Sequence, residues 1–167
     1  MKMHYSLPNI SVLNSENEKY DYIDCFEGEL LNSNIQISDV AASFFKSSPK
    51  WVEQLFRLRH AIVRHIGLKT EMLNIDKDLG VIKEGDKIGF FKVYKVLENE
   101  IMMGENDSHL NFKCSILITR GEKTQLSVTT AVTFNNRFGR VYFMLIKTFH
   151  KLIVGVMMKN VLRDLNR

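Results

Sequence analysis

The chain is short of the residues that break or staple a fold. Among 167 residues there are two prolines, nine glycines and two cysteines. So little proline and glycine argues against long linkers and low-complexity segments. No internal repeat is present. Cys25 and Cys114 lie far apart, each in an apolar, strand-like run, and neither forms a Cys-x-x-Cys or Cys/His pattern. They read as buried free thiols, which suit a reducing compartment. Neither GxGxxG nor GxxxxGK occurs, so no phosphate loop is expected. Long apolar runs are missing too. The opening MKMHYSLPNISVLNSENE lacks the apolar core of a secretory signal. The most apolar stretch, VYFMLIKTFHKLIVGVMM, is interrupted by Lys147, His150 and Lys151, so no membrane span is expected. A cytoplasmic location is the resulting expectation.

Charge of one sign is also missing. The chain has 23 Lys and Arg against 19 Asp and Glu, a formal charge of +4 and a sequence pI of about 9.0. The signs are interleaved rather than gathered on one stretch, which fits a solvated surface and not a nucleic-acid-binding face. His4, His60, His65 and His150 stand in no ligand spacing with acids or cysteines, so no metal and no cofactor is expected.

What is present is an ordinary globular composition, 45% hydrophobic and 25% charged. A chain of this length forms one domain, residues 1–167, and buries roughly 70% of its unfolded surface without staples. Residues 1–19 read as an irregular N-terminal segment. Residues 20–31, YDYIDCFEGELL, read as a strand whose alternation puts Tyr22, Asp24 and Phe26 on one face. Two short helices follow. Ser38 is the expected cap of the first, and Pro49 and Gly67 bound the second at about 49–66.

From Gly85 the pattern turns to short alternating runs: IGFFKVYKVL, EIMMGE, HLNFKCSILIT and TQLSVTTAVTF. Turn-length connections between them predict an antiparallel sheet. A helix is predicted at 140–165. Its expected core stripe is Tyr142, Leu145, Ile146, Phe149, Leu152, Ile153, Val156 and Met157. A second stripe, Phe143, Val154, Met158, Val161 and Leu165, is expected on the far side as further core, a self-association contact or a membrane-surface patch. The class is therefore α+β, a curved antiparallel sheet wrapped around a long C-terminal helix. This element order is similar to the helix-grip fold of the START and polyketide-cyclase-like superfamily.

Two places suggest chemistry. In the helix at 49–66, Arg59 falls near the middle of the apolar arc. A buried guanidinium there needs a carboxylate partner, Asp107 first or Asp24 second. The alternative is that its stem lies along apolar neighbours with the charged head in water. In GENDSHLNF, Asp107 suits a self-capped turn. A regular strand would put His109 opposite the Leu110–Phe112–Cys114 face, at an edge or pointing outward. A bulge at Ser108 would reverse this. Asp107 and His109 are the candidates for acid–base work, with no evident nucleophile.

The segments YDYIDCFEG, FFKSSPKWVEQLFRLRHAIVRHIGLK, GENDSHLNFKCSI, VTTAVTFNNRFGRVYF and FHKLIVGVMMKN occur in one order over nearly the whole chain. Together they resemble the bacterial family designated domain of unknown function 2867. Matching positions include Asp24, Trp51, Arg59, Asp107, His109, Asn136, Tyr142, Phe149 and His150. The family has no established activity, so the resemblance implies no catalytic role. Its segments also follow a dehydrogenase-like nucleotide-binding domain in longer chains. That domain is missing from this sequence, so no dinucleotide site is implied. Asn111 stands where related sequences often carry Asp, which counts against a second carboxylate beside His109.

The resulting expectation is binding of a small hydrophobic or amphipathic molecule in a cavity between sheet and C-terminal helix. The ligand-binding candidates are Tyr22, Asp24, Arg59, Asp107, His109 and Phe149. Two other readings stand beside it. One is cyclase- or hydrolase-like acid–base chemistry by an Asp/His/Arg cluster. The other is a homodimer formed through the far stripe of the last helix.

Overall fold

The computed structural model describes residues 1–14, 19–49, 51–52, 81–89 and 91–167. Seven strands form one antiparallel sheet. They are β1 (Lys2–His4), β2 (Tyr22–Leu30), β3 (Lys87–Ile88), β4 (Phe91–Val96), β5 (Glu100–Asn106), β6 (Leu110–Thr119) and β7 (Thr124–Phe134). Their spatial order is β1-β2-β7-β6-β5-β4-β3. Helix α1 (Ile37–Lys46) follows β2, and helix α2 (Arg137–Leu165) closes the chain. The architecture is α+β, a curved open sheet with a long C-terminal helix, and is helix-grip-like.

The strands form where the alternation predicts. The period of two gives each strand a face toward the helices and a face away from them. Leu110, Phe112, Cys114, Ile116 and Ile118 of β6 sit on the helix face, as do Leu126, Val128, Thr130 and Val132 of β7. Phe26, Met103, Ile116 and Val128 pack there against Phe44 and Phe45 of α1 and Met158 and Val161 of α2. The outer face is covered in part by the N-terminal segment. Leu13 is 1% exposed and packs on Met102 and Ala131, with Leu7, Val12, Tyr20 and Tyr94 around them. Lys2–His4, expected to be irregular, pair with β2 as an edge strand.

Three local expectations change. Ser38 does not cap α1: Gln36 occupies the cap position, and its side chain makes no capping bond. Helix α2 starts earlier than position 140, because the Asn136 side chain accepts a 2.9 Å hydrogen bond from the Gly139 amide and starts the helix at Arg137. The phase of α2 is rotated from the one expected: Met157 is buried and Ile146 and Ile153 pack partly buried on the core, but the other stripe carries most of the burial. The buried residues are Gly139, Phe143, Val154, Gly155, Met157, Met158 and Val161, whereas Leu145, Phe149 and Leu152 are more than half exposed. Of the three readings of the far stripe, further core is the one the packing bears out: Phe143, Val154, Met158 and Val161 are buried. By length and a mean hydropathy of 1.5, α2 is apolar enough to cross a membrane; here it lies along the sheet. The helix expected at 49–66, with Arg59 and its proposed ion pair, lies outside the described residues beyond Val52.

Candidate functional site

Asp24 is the most deeply buried acid on the helix face among the described residues, with 0% exposure. It is held there by register. β2 pairs with β7 so that Asp24 lies opposite Thr130, and Tyr22 precedes it by two residues on the same face. The Tyr22 hydroxyl donates to Asp24 Oδ2 at 2.6 Å. From above, α2 presents His150. Its Nε2 lies 3.4 Å from Asp24 Oδ2 and 3.1 Å from Thr130 Oγ1. Asp24 Oδ1 is buried and has no hydrogen-bond partner among the described residues.

Aromatic groups wall this cluster. The Tyr22 ring packs on Phe143 with centroids 4.7 Å apart, and Lys147 Nζ lies 4.9 Å from the Tyr22 ring centre on another side. Phe112 approaches His150 edge-on. Burial pushes the Asp24 carboxyl up. The hydrogen bond and charge of His150, with hydrogen bonds from Tyr22 and Thr130, outweigh it and hold the group below the usual carboxylate value. Burial, then the adjacent Asp24, push the Tyr22 hydroxyl far above its ordinary range. The cluster therefore holds an ionised carboxylate and a neutral phenol side by side.

Asp107 and His109 form a second pair. Asp107 Oδ1 accepts the Ser108 amide at 2.6 Å, and its own amide donates to the Leu110 carbonyl, as a self-capped turn predicts. Asp107 Oδ2 lies 3.4 Å from His109 Nδ1. His109 is not outward: it is 2% exposed. It precedes β6, whose pairing starts at Leu110, so strand alternation does not govern it. The first turns of α2 then close over it, with Phe138 and Tyr142 ring centroids 5.8 and 4.9 Å away. Gly139 makes that approach feasible, since a β-carbon there would collide with the His109 carbonyl.

Of the predicted site residues, the structure brings Tyr22 and Asp24 together and joins Asp107 to His109. The two pairs meet consecutive residues of α2: His109 contacts Tyr142, and Tyr22 contacts Phe143. Phe149 lies on the exposed face of α2, 53% accessible. Arg59 is outside the described residues. The partner of Asp24 that sequence reasoning missed is His150. Its place in the family resemblance was the available signal, but its spacing to other polar residues was not. A separate open cleft of about 390 Å³ lies between α1 and the end of α2, lined by Asp39, Lys46 and Asp164 among others. It contains none of these residues.

The fold and this cluster define an α+β protein with a helix-grip-like sheet and a buried acid–imidazole pair where the sheet meets its last helix. The family model described as "Protein of unknown function (DUF2867)" matches residues 17–157, and the chain belongs to that family. No curated protein and no solved structure matches it.

Proposed function

We propose that the protein binds a small amphipathic molecule at the seam between the helix face of the sheet and α2. The polar head meets Asp24 and His150. The apolar part lies along the exposed ridge of Leu145, Phe149 and Leu152, which runs beside the half-buried ridge carrying Ile146 and His150. The observation that carries this reading is Asp24 Oδ1, a buried carboxylate oxygen with no donor among the described residues. Such a group costs stability unless something else satisfies it, and a ligand donor would do so, as would the Arg59 guanidinium expected to seek a carboxylate. Six large apolar side chains of α2 more than 40% exposed, Phe138, Val141, Met144, Leu145, Phe149 and Leu152, supply the apolar half of such a site.

Native mass spectrometry of gently purified protein, against a denatured control, tests the reading. Binding predicts extra mass that disappears on denaturation and is absent from Asp24→Asn and His150→Ala. A clean apo mass in the wild type, with no ligand recovered by extraction, would sink it.

One observation favours acid–base catalysis as a second reading. Asp24 and Thr130 engage His150 through Nε2, which leaves Nδ1 as the nitrogen able to accept or give a proton. A carboxylate that fixes an imidazole in this way is a recurrent positioning device. Recovery of a chemically altered ligand after incubation separates this reading from simple binding.

A further inference from the structure

On the outer face of the sheet, three different donor groups converge. His4 of β1 lies directly opposite Cys25 of β2, and Glu27 follows Cys25 by two residues on the same face. The His4 imidazole, the Cys25 sulfur and the Glu27 carboxylate each present a ligand atom, and all three atoms lie within 4.8 Å of one another. From this geometry we propose that His4, Cys25 and Glu27 bind a divalent cation of the zinc type, with a fourth position open to solvent.

The donor set suits that ion. Zinc takes thiolate, imidazole and carboxylate at about 2.3, 2.0 and 2.1 Å, which places tetrahedral donors roughly 3.3–3.6 Å apart. His4 Nε2 and Glu27 Oε1 are already 3.2 Å apart. His4 and Glu27 are partly exposed and free to turn toward a shared ion, whereas Cys25 is fully buried below them.

Each donor is also held from behind. His4 Nδ1 contacts the Ser6 hydroxyl at 3.0 Å, which turns Nε2 toward the cluster. Ser127 Oγ donates to Glu27 Oε1 at 3.3 Å, and Thr129 Oγ1 donates to Cys25 Sγ at 3.2 Å. Outer partners that orient every ligand are characteristic of metal sites and are not needed by a plain surface ion pair.

Without a cation the thiol stays protonated. Burial pushes it up to about 11 despite the Thr129 hydrogen bond, and the charges of Glu27 and Asp24 add to the rise. Coordination forms the sulfur–metal bond and releases the thiol proton to solvent, so affinity rises with pH. The site faces away from the Asp24–His150 cluster, since neighbouring residues on a strand point to opposite faces. It clips the edge strand β1 to β2.

The test is a cobalt(II) titration of the tag-free protein under reducing conditions, followed by zinc competition. The expected result is one cobalt per chain, a near-ultraviolet thiolate-to-cobalt charge-transfer band, and its loss on adding zinc. Cys25→Ser abolishes the band and Cys114→Ser keeps it. His4→Ala weakens binding by about tenfold or more, the loss typical even of outer-shell changes. His4 is at a half-exposed edge, so that variant folds and keeps the test decisive if Cys25→Ser does not. Absence of the band in wild type, or an unchanged band in His4→Ala and Cys25→Ser, overturns the proposal.

Discussion

Two acids are buried on opposite faces of one sheet, and they are treated differently. Glu100, 1% exposed, is on the outer face. Its Oε1 accepts hydroxyl hydrogen bonds from Ser11, at 2.6 Å, and from Ser115, and its Oε2 accepts the Val12 amide at 2.9 Å. Both oxygens are occupied, and the bonds pin the N-terminal segment over the sheet. Asp24, 0% exposed, is on the helix face with Tyr22 and His150 on one oxygen and no donor among the described residues on the other. A carboxylate whose capacity is filled by its own chain serves structure. The Asp24 oxygen with no donor among the described residues is the feature on which the proposed binding site rests.

The strongest way to break this contrast is Glu100→Ala. It strips partners from two hydroxyls and an amide, and at about 1 kcal/mol or more for each orphaned group the loss is about 3 kcal/mol. Urea unfolding should show it as a lower midpoint at unchanged slope. Glu100→Gln is milder, about 1–2 kcal/mol, because its amide must face the Val12 N–H or a hydroxyl. Asp24→Asn, the matched change on the other face, should cost less than Glu100→Ala, since its amide oxygen still accepts the Tyr22 hydroxyl and the partly exposed His150 can turn to solvent. The same variant should lose the native-state adduct. A cost for Asp24→Asn as large as that for Glu100→Ala would make Asp24 another structural acid.

Acid titration sharpens the contrast further. The Asp24 carboxyl is lowered in the folded state, so its contribution is present above the unfolded value of about 3.9 and is lost as pH falls through the lower folded value. Denaturation followed across that acid range should be flatter for Asp24→Asn than for the wild type. The smallest effect is on the thiols. Burial first, then the Asp24 charge, raise Cys114 to about 12, and Asp24 also contributes to Cys25. Native thiols should therefore react slowly with a disulfide reagent at neutral pH and somewhat faster in Asp24→Asn. Glu100→Gln should leave that rate unchanged.

Much of the sheet was legible in the sequence. Alternation grouped Tyr22 with Asp24 and Phe26, and Leu110 with Phe112 and Cys114, because a strand's period of two is a local property; the sheet sets both groups on its helix face. The long C-terminal helix was equally visible, but its phase was not. Both of its stripes are apolar, so periodicity shows that a face exists without showing which one meets the sheet. His109 was misplaced because strand geometry was extended one residue too far, into a turn that α2 covers. Within the candidate site, Asp24 and Tyr22 could be named, but the imidazole that joins them could not. His150 reaches Asp24 only after β2 has paired with β7 and α2 has lain down across both.

The sequence by itself determined the class, the strands, the self-capped turn at Asp107 and the inward alternation of Asp24. These follow from backbone periods and short-range hydrogen bonding. Tertiary structure alone decided which stripe of α2 is core and that Asp24 pairs with His150. It also decided that Glu100 is filled by Ser11 and Ser115, and that His4 meets Cys25 and Glu27. Each of these joins residues distant in the chain, and their meeting depends on strand order and packing, which no local pattern encodes.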